Sequence, residues 1–315
     1  MKSKVTYHLK DKAIWVVLVI LCIAFSIANS RFLAVDNLFT LARQVSMYGI
    51  ASIGMTFVIL IAGIDLSTGT IITFVNIICA NFMVNMGMNM YLAVILSLVI
   101  STLIGALNGF MIATIGMPAI IATFASQTVF EGAAYLISGG KPIFGYDERF
   151  KMLGQGYIGP VPIPVIIMIL CFIVGSFILN KTYFGRYFYA VGGNEAAARL
   201  SGIRVSRVKY LIYALSGFFA GLAGIVLLSR TNSGQSTAGK GWEFDVITCV
   251  VLGGVSVTGG SGKISNVVAG VLIIGSLKNG MILMNVSAYT QMVVQGIILA
   301  LAVGFDCWQK RKKEQ

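Results

Sequence analysis

Charge is the scarcest property of this chain. Only 11% of its 315 residues are Asp, Glu, Lys or Arg, against about 25% in an ordinary soluble domain. Acids are scarcer still, 11 against 23 bases, and histidine occurs once, at His8. A single histidine without any CxxC pair excludes the common zinc constellations. The five cysteines are Cys22, Cys79, Cys171, Cys249 and Cys307. Their number is odd and each lies in or at the end of an apolar stretch, so they read as small core hydrophobes rather than disulfide partners. The chain has no GxSxG elbow, no HExxH and no pair of catalytic carboxylates. No catalytic residue, cofactor or metal site is expected, and an enzyme is a poor reading.

What is abundant is apolar. Hydrophobic residues make up 57% of the chain, and the mean hydropathy is +0.89. The fold class expected is all-α, a polytopic membrane bundle in one domain over 1–315. A bilayer needs about 20 apolar residues per helix. Ten segments qualify or nearly so: 14–30, 44–63, 67–85, 91–113, 118–138, 163–181, 208–229, 244–257, 264–284 and 289–307. The eighth is short and glycine-rich, the mark of a partly re-entrant piece. The first follows four lysines but lacks a small-residue cleavage site, so it reads as a retained span.

The net charge of +12 does not point to nucleic acid, because the bases cluster between and beyond the apolar segments. Their distribution sets orientation. Fifteen of the 23 lie in the amino-terminal tail (1–13), the 182–207 loop and its flanks, at Lys263, or in the carboxyl tail (308–315), against seven in the opposite loops. Both tails and the 182–207 loop are therefore expected in the cytoplasm. The largest outside loop is 139–162, either a solvated connection or a docking surface for an external protein.

The 182–207 loop contains a short helix signal. Asn194 suits an N-cap, Ala196, Ala197 and Ala198 are strong helix formers, Glu195 and Arg199 form an i,i+4 pair, and Gly202 suits the position after the helix. With Leu200 and Ser201 these residues make a handle that a partner protein can grip.

Other polar interruptions are fewer. In GIDLSTGT (63–70) Asp65 is placed to cap the next helix through the Ser67 and Thr68 amides. The stretch is either a capped inner turn or a broken helix near a solute path. LGGVSVTGGSGK (252–263) fails the phosphate-loop pattern, since Val257 stands where the first glycine belongs and Ile264 follows Lys263. A tight turn with close helix packing explains it better. Glu131 and Lys278 fall inside spans at similar depth, and a charge there is costly. They pair with each other, line the path, or snorkel separately. Asp65 and Glu131 are the acids expected well away from tails and outer loops. A faint repeat relates NGFMIATIGMP (108–118) to NGMILMNVSAY (279–289), and partners five spans apart are inverted, a common transporter construction.

Three stretches carry a resemblance: GMTFVILIAGIDLSTG (54–69), FGRYFYAVGGNEAAARLSGIRV (184–205) and VVLGGVSVTGGSGKI (250–264). They resemble the permease subunit of bacterial ABC importers of the ribose, galactose and xylose type, from about residue 30 to the end. The resemblance implies a type II-like importer fold of about ten spans with no ATP site of its own. It implies two paired permease subunits, most simply a homodimer in the inner membrane. It also implies separate cytoplasmic ABC ATPases, and a periplasmic or lipid-anchored sugar-binding protein on which selectivity chiefly rests. Asn194–Ser201 match the family's coupling helix. One departure is Glu131-Gly132, where ribose-type members often carry Arg-Gly, together with Lys278, where they carry a neutral residue. A self-contained secondary transporter or channel is the competing reading. It would need its own ion site, and the handle at 194–201 would have no evident job in it.

Overall fold

The computed structural model describes residues 2–314, with side chains from 13 to 312. Lys2, Lys4, Lys10, Lys12 and Lys313, which carry part of the orientation reading, have side chains outside the described residues. Each expected apolar segment overlaps a helix, the eighth only in part. They are α1 (Lys2–Ala28), α2 (Val35–Leu60), α3 (Thr68–Val84), α4 (Met90–Phe110) and α5 (Ala119–Ser138). An eight-residue helix α6 (Glu148–Gln155) and a hairpin of β1 (Tyr157–Ile158) and β2 (Val161–Pro162) then lead into α7 (Ile163–Lys181). The rest are α8 (Tyr183–Gly193), α9 (Glu195–Leu200), α10 (Val205–Thr231), α11 (Trp242–Leu252), α12 (Ile264–Leu283) and α13 (Ala288–Glu314). Among the described residues, seven helices are long and apolar enough to cross a membrane, with Ala13–Ala28 and Thr68–Val84 as shorter apolar helices.

Two helices form the centre. Every residue of α2 from Val45 to Leu60 is buried, as is most of α10 from Ser216 to Ser229. A helix apolar all round belongs inside other helices. α10 packs on α2, α3 and α4. Its contact with α4 is a backbone-to-backbone seam made by small residues. A Cβ on Gly105 would sit 2.1 Å from the Tyr213 carbonyl oxygen, and one on Gly217 2.2 Å from that of Ser101. Without a hydrophobic drive between helices in lipid, such close van der Waals contact holds them together. The outer helices show the opposite surface. Ile169, Leu170, Ile173, Val174 and Phe177 on α7, and Met292, Val293, Ile297 and Leu301 on α13, are exposed and apolar. In water that would be a large adhesive surface; in a bilayer it faces acyl chains.

The two ends of the bundle differ. At one, α6 and the hairpin fold over the top. Asp147 caps α6 through the Arg149 amide at 2.9 Å, and Ser229 on α10 joins the Phe150 carbonyl and the Gly154 amide at 2.6 and 2.7 Å. Arg43 of α2 lies 4.7 Å from the Tyr157 ring centroid. The 139–162 stretch, expected as a solvated connection or a docking surface, is thus a structured cap anchored through a few buried residues such as Ile143, Tyr146 and Phe150 and otherwise largely exposed. At the other end, the 182–207 loop holds α8 as well as the anticipated short helix α9. The cysteines are all free; Cys79, Cys171 and Cys249 are buried, but Cys307 is exposed, contrary to its reading as core.

The eighth segment departs most from a simple span. α11 starts two residues earlier than expected and has 11 residues, about 16 Å at 1.5 Å per residue, half of a hydrocarbon core. The chain reaches it through a non-helical run, 232–241, that descends beside α3. Gly234 exchanges backbone bonds of 2.9 Å with Ile143, the Gln235 amide donates to Asn76 Oδ1 at 2.8 Å, and the Gly239 amide to Thr73 Oγ1 at 2.9 Å. Gly217→Leu should separate α10 from α4 and lower the melting temperature of the purified protein, consistent with an overpacking cost of about 1–3 kcal/mol or more. Gly304→Leu, where an added Cβ meets nothing within 4 Å, should leave it unchanged.

Candidate functional site: a surface helix and a buried charge cluster

Local signals build α9 as expected. Asn194 Oδ1 accepts from the Ala197 amide at 2.9 Å. Arg199 meets Glu195 at 3.2 Å, and the Ser201 hydroxyl donates to the Ala197 carbonyl at 3.0 Å. Gly202, at φ +83°, ends the helix. Its amide bonds to the Arg199 carbonyl and that of Ile203 to Ala198, each at 3.1 Å, the two bonds of a Schellman motif. Ala198 is buried, while Ala196, Ala197, Arg199 and Leu200 are exposed, Leu200 by 91%. One contact was missed: Lys209 of α10 reaches Glu195 at 2.8 Å and ties α9 to the bundle. That hydrogen bond holds the Glu195 carboxyl below its ordinary 4.5. A lowered carboxyl stabilises the docked form above the unfolded value and ceases to as pH falls through the folded one.

Behind α9 the three stretches that carry the family resemblance meet. α8 ends in Gly192-Gly193, and a Cβ on Gly192 would lie 1.7 Å from the Leu60 carbonyl oxygen at the end of α2. The Gly260 amide, in the glycine-rich turn after α11, donates to that same oxygen at 2.9 Å. Tyr189 of α8 bonds the Gly262 carbonyl at 2.9 Å. The turn's other face is held by α13, where Asp306 accepts from Ser256 Oγ and the Val257 amide at 2.9 and 3.0 Å. The tight-turn reading of 252–263 holds, with positive φ at Gly254, Gly259, Gly260 and Gly262.

Asp65 closes the reversal between α2 and α3. Oδ1 takes the Ser67 amide at 3.0 Å and the Ser67 hydroxyl at 2.5 Å, and Oδ2 takes Ser216 of α10 at 2.7 Å. The Thr68 amide is not its partner; the Thr68 hydroxyl donates to the Asp65 backbone carbonyl instead, at 3.1 Å. Asn108 bonds the Ser67 hydroxyl at 2.8 Å. Its counterpart in the faint repeat, Asn279, bonds Asn37 at the opposite end of the bundle.

The expected Glu131–Lys278 pair does not form within the chain. Lys278 Nζ lies 2.5 Å from Asp245 Oδ2 and 3.0 Å from the Tyr48 hydroxyl, nearly enclosed. Glu131 faces Lys240 at 3.9 Å. The reason is the descent of 232–241. It starts α11 deep in the bundle, with the Trp242 ring tilted against that of Tyr48 (ring centroids 4.5 Å). Asp245 and Glu243, which a full-length span would place at its outer end, become the buried acids. Glu243 accepts from Gln127 of α5 at 3.3 Å and fills the space beside Gly69 in the first turn of α3.

Residues 37–303 match the family model described as branched-chain amino acid transport system / permease component. The chain belongs to this permease family. It is 47% identical over 291 residues to the ribose import permease protein of Bacillus subtilis, covering 92% of this chain and 90% of that one. It is 42% identical over 298 residues to the L-arabinose transport system permease protein of Escherichia coli, covering 95% and 90%. The ribose import permease protein of Haemophilus influenzae is 40% identical over 303 residues, at 95% and 94%. No solved structure matches.

Two outcomes are expected. Asp245→Asn or Lys278→Met alone should destabilise by about 3–5 kcal/mol, by leaving a buried charge or polar group unpaired, whereas the joint Asp245→Asn, Lys278→Met change should recover most of it. Thermal unfolding of the four proteins gives the cycle; single variants as stable as wild type would contradict it. Separately, Glu195→Gln should raise amide hydrogen exchange across 195–201, and wild type should show the same rise as pH drops below 4.5.

Proposed function

We propose that this chain is the membrane-spanning permease of an ATP-driven importer for a monosaccharide of the pentose class. The support comes from permease relatives named for ribose import and L-arabinose transport, each matched over at least nine-tenths of this chain. α9 carries the mechanism. It is a short helix capped at both ends, exposed through Arg199 and Leu200 and anchored through Ala198 and the Glu195–Lys209 pair. In this reading Asn194–Ser201 seat in a cytoplasmic ABC ATPase. Movement of α9 passes through α8 to the 253–263 turn and so to α11, which starts beside the charged cluster. The α9 end of the bundle then faces the cytoplasm, both termini lie on that side, and the α6–hairpin cap faces an extracytoplasmic binding protein. A second copy of the permease completes the solute path; of Asp65, Ser67, Glu131 and Lys278, only Glu131 is open enough to line it, the other three being enclosed. The chain is a transport component in the bacterial inner membrane, and ATP hydrolysis belongs to its partner.

Glu195→Arg combined with Ala197→Trp should abolish sugar uptake in membranes while ATP hydrolysis persists without response to loaded binding protein. Unchanged uptake and unchanged stimulation would refute the coupling role. Mass measurement of the purified assembly should give two permeases for two ATPases; one permease per two ATPases would refute the pairing.

A further inference from the structure

α5 and the non-helical run before α11 are joined by a ladder of polar pairs. From the α6 end inward, Ser138 meets Ser236 at 2.7 Å, Glu131 meets Lys240 at 3.9 Å, and Gln127 meets Glu243 at 3.3 Å. The two strands of the ladder run in opposite directions, so the register is continuous. Over 127–138 it spans about 16 Å of helix, roughly half the hydrocarbon thickness. The opposite face of the run is committed to α3 through Asn76, Thr73 and Gly69. The edge between α5 and the run is open: Lys240 is 72% and Glu131 37% exposed, and Gln235, Thr237 and Phe244 are exposed beside them.

An edge of this composition cannot face acyl chains. A charged side chain at mid-membrane is strongly disfavoured against acyl chains, and the exposed apolar faces of α7 and α13 show what suits lipid. The ladder must front water or another subunit. Its groups also suit a particular passenger. A carboxylate, an amide and an ammonium offer donors and acceptors to vicinal hydroxyls, and Phe244 below them offers an apolar ring, a mixture common in small-molecule sites. Salt-bridge distance is loose at Glu131–Lys240, so a hydroxyl group can enter without breaking a tight pair.

Building on the permease reading, we infer that the α5 ladder is the solute-contacting wall in the outer half of the path. Gln127, Glu131 and Lys240 hydrogen-bond the hydroxyl groups of the passing sugar, and the matching wall comes from the second copy. Asp65 and Lys278, satisfied internally, are excluded from contact with solute.

Two readouts on the assembled importer in nanodiscs test this, in a background with the five native cysteines replaced and uptake retained. Thr237→Cys should react with a charged, water-soluble methanethiosulfonate roughly 100-fold or more faster than Leu170→Cys, because a charged reagent is excluded from hydrocarbon. Equal rates would overturn the wall, whether or not the protein carries sugar. With saturating binding protein, Gln127→Ala should shift the uptake ratio of ribose to 2-deoxyribose by roughly three- to tenfold, the worth of one neutral hydrogen bond. Glu131→Gln, a milder change, should shift it in the same assay if Gln127→Ala does not assemble. A ratio unmoved by both would overturn the contact. Failure of the wild-type importer to take up any pentose, with the labelling contrast intact, would instead count against the proposed substrate class and leave the wall standing.

Discussion

A chain that leaves the helical state inside a bilayer must find new partners for the backbone groups it frees, because hydrocarbon supplies none. Residues 232–241 do so, and the arrangement of the site follows from how. The amides of Gly234, Gln235 and Gly239 are taken by the Ile143 carbonyl, Asn76 and Thr73, and those of Ala238, Lys240 and Trp242 by short turns within the run. Two polar side chains one turn apart on α3 thus replace helix bonds that the run does not make. The solution fixes the depth at which helix can resume, and α11 begins there. Its first turn lies beside the first turn of α3, where Gly69 leaves room for Glu243.

Two helix N-termini consequently meet in the interior, and the buried acids are found with them. Asp65 precedes α3, and Glu243 and Asp245 lie in the first turn of α11. Carboxylates near the positive end of a helix gain from its dipole. Asp65 adds three hydroxyl or amide donors, and Asp245 adds a cation. A buried ion pair is poor evidence for stability on its own, since desolvation offsets the attraction. Its value here is positional: Lys278 and Tyr48 hold the start of a short helix against α12 and α2.

Legibility in the sequence followed the range of the interactions. Asn194, Glu195, Arg199 and Gly202 act within one or two turns, so spacing alone revealed α9 and both caps. The apolar segments were legible for the same reason, being continuous along the chain. Lys209 was not, because its bond to Glu195 crosses from one helix to another. Nor was the partner of Lys278. Counting residues from a surface places Glu131 and Lys278 at equal depth, but it assumes that every segment starts at that surface. Asp245 breaks the assumption, and only the hydrogen bonds of Asn76 and Thr73 explain why. Hydropathy also hid α6, which is polar, and α8, which is only 11 residues long and set in a charged loop.

The same geometry links the two ends of the protein without a long-range wire. The Leu60 carbonyl oxygen accepts the Gly260 amide while Gly192 presses on it, so the end of α2, the end of α8 and the turn after α11 share one point. The three are in backbone-to-backbone contact there, too close for any side chain larger than hydrogen at Gly192. α9 is the next element along from α8, and α11 the element before the turn. If α9 is the coupling element proposed above, a displacement applied there reaches α11 through backbone contacts rather than through side chains that can change rotamer. At its far end α11 is held by a few polar groups, chiefly the Asp245–Lys278 pair and the Glu243–Gln127 bond. Rigid transmission at one end and exchangeable polar contacts at the other are the conditions under which a push on a surface helix becomes a rearrangement at mid-membrane depth.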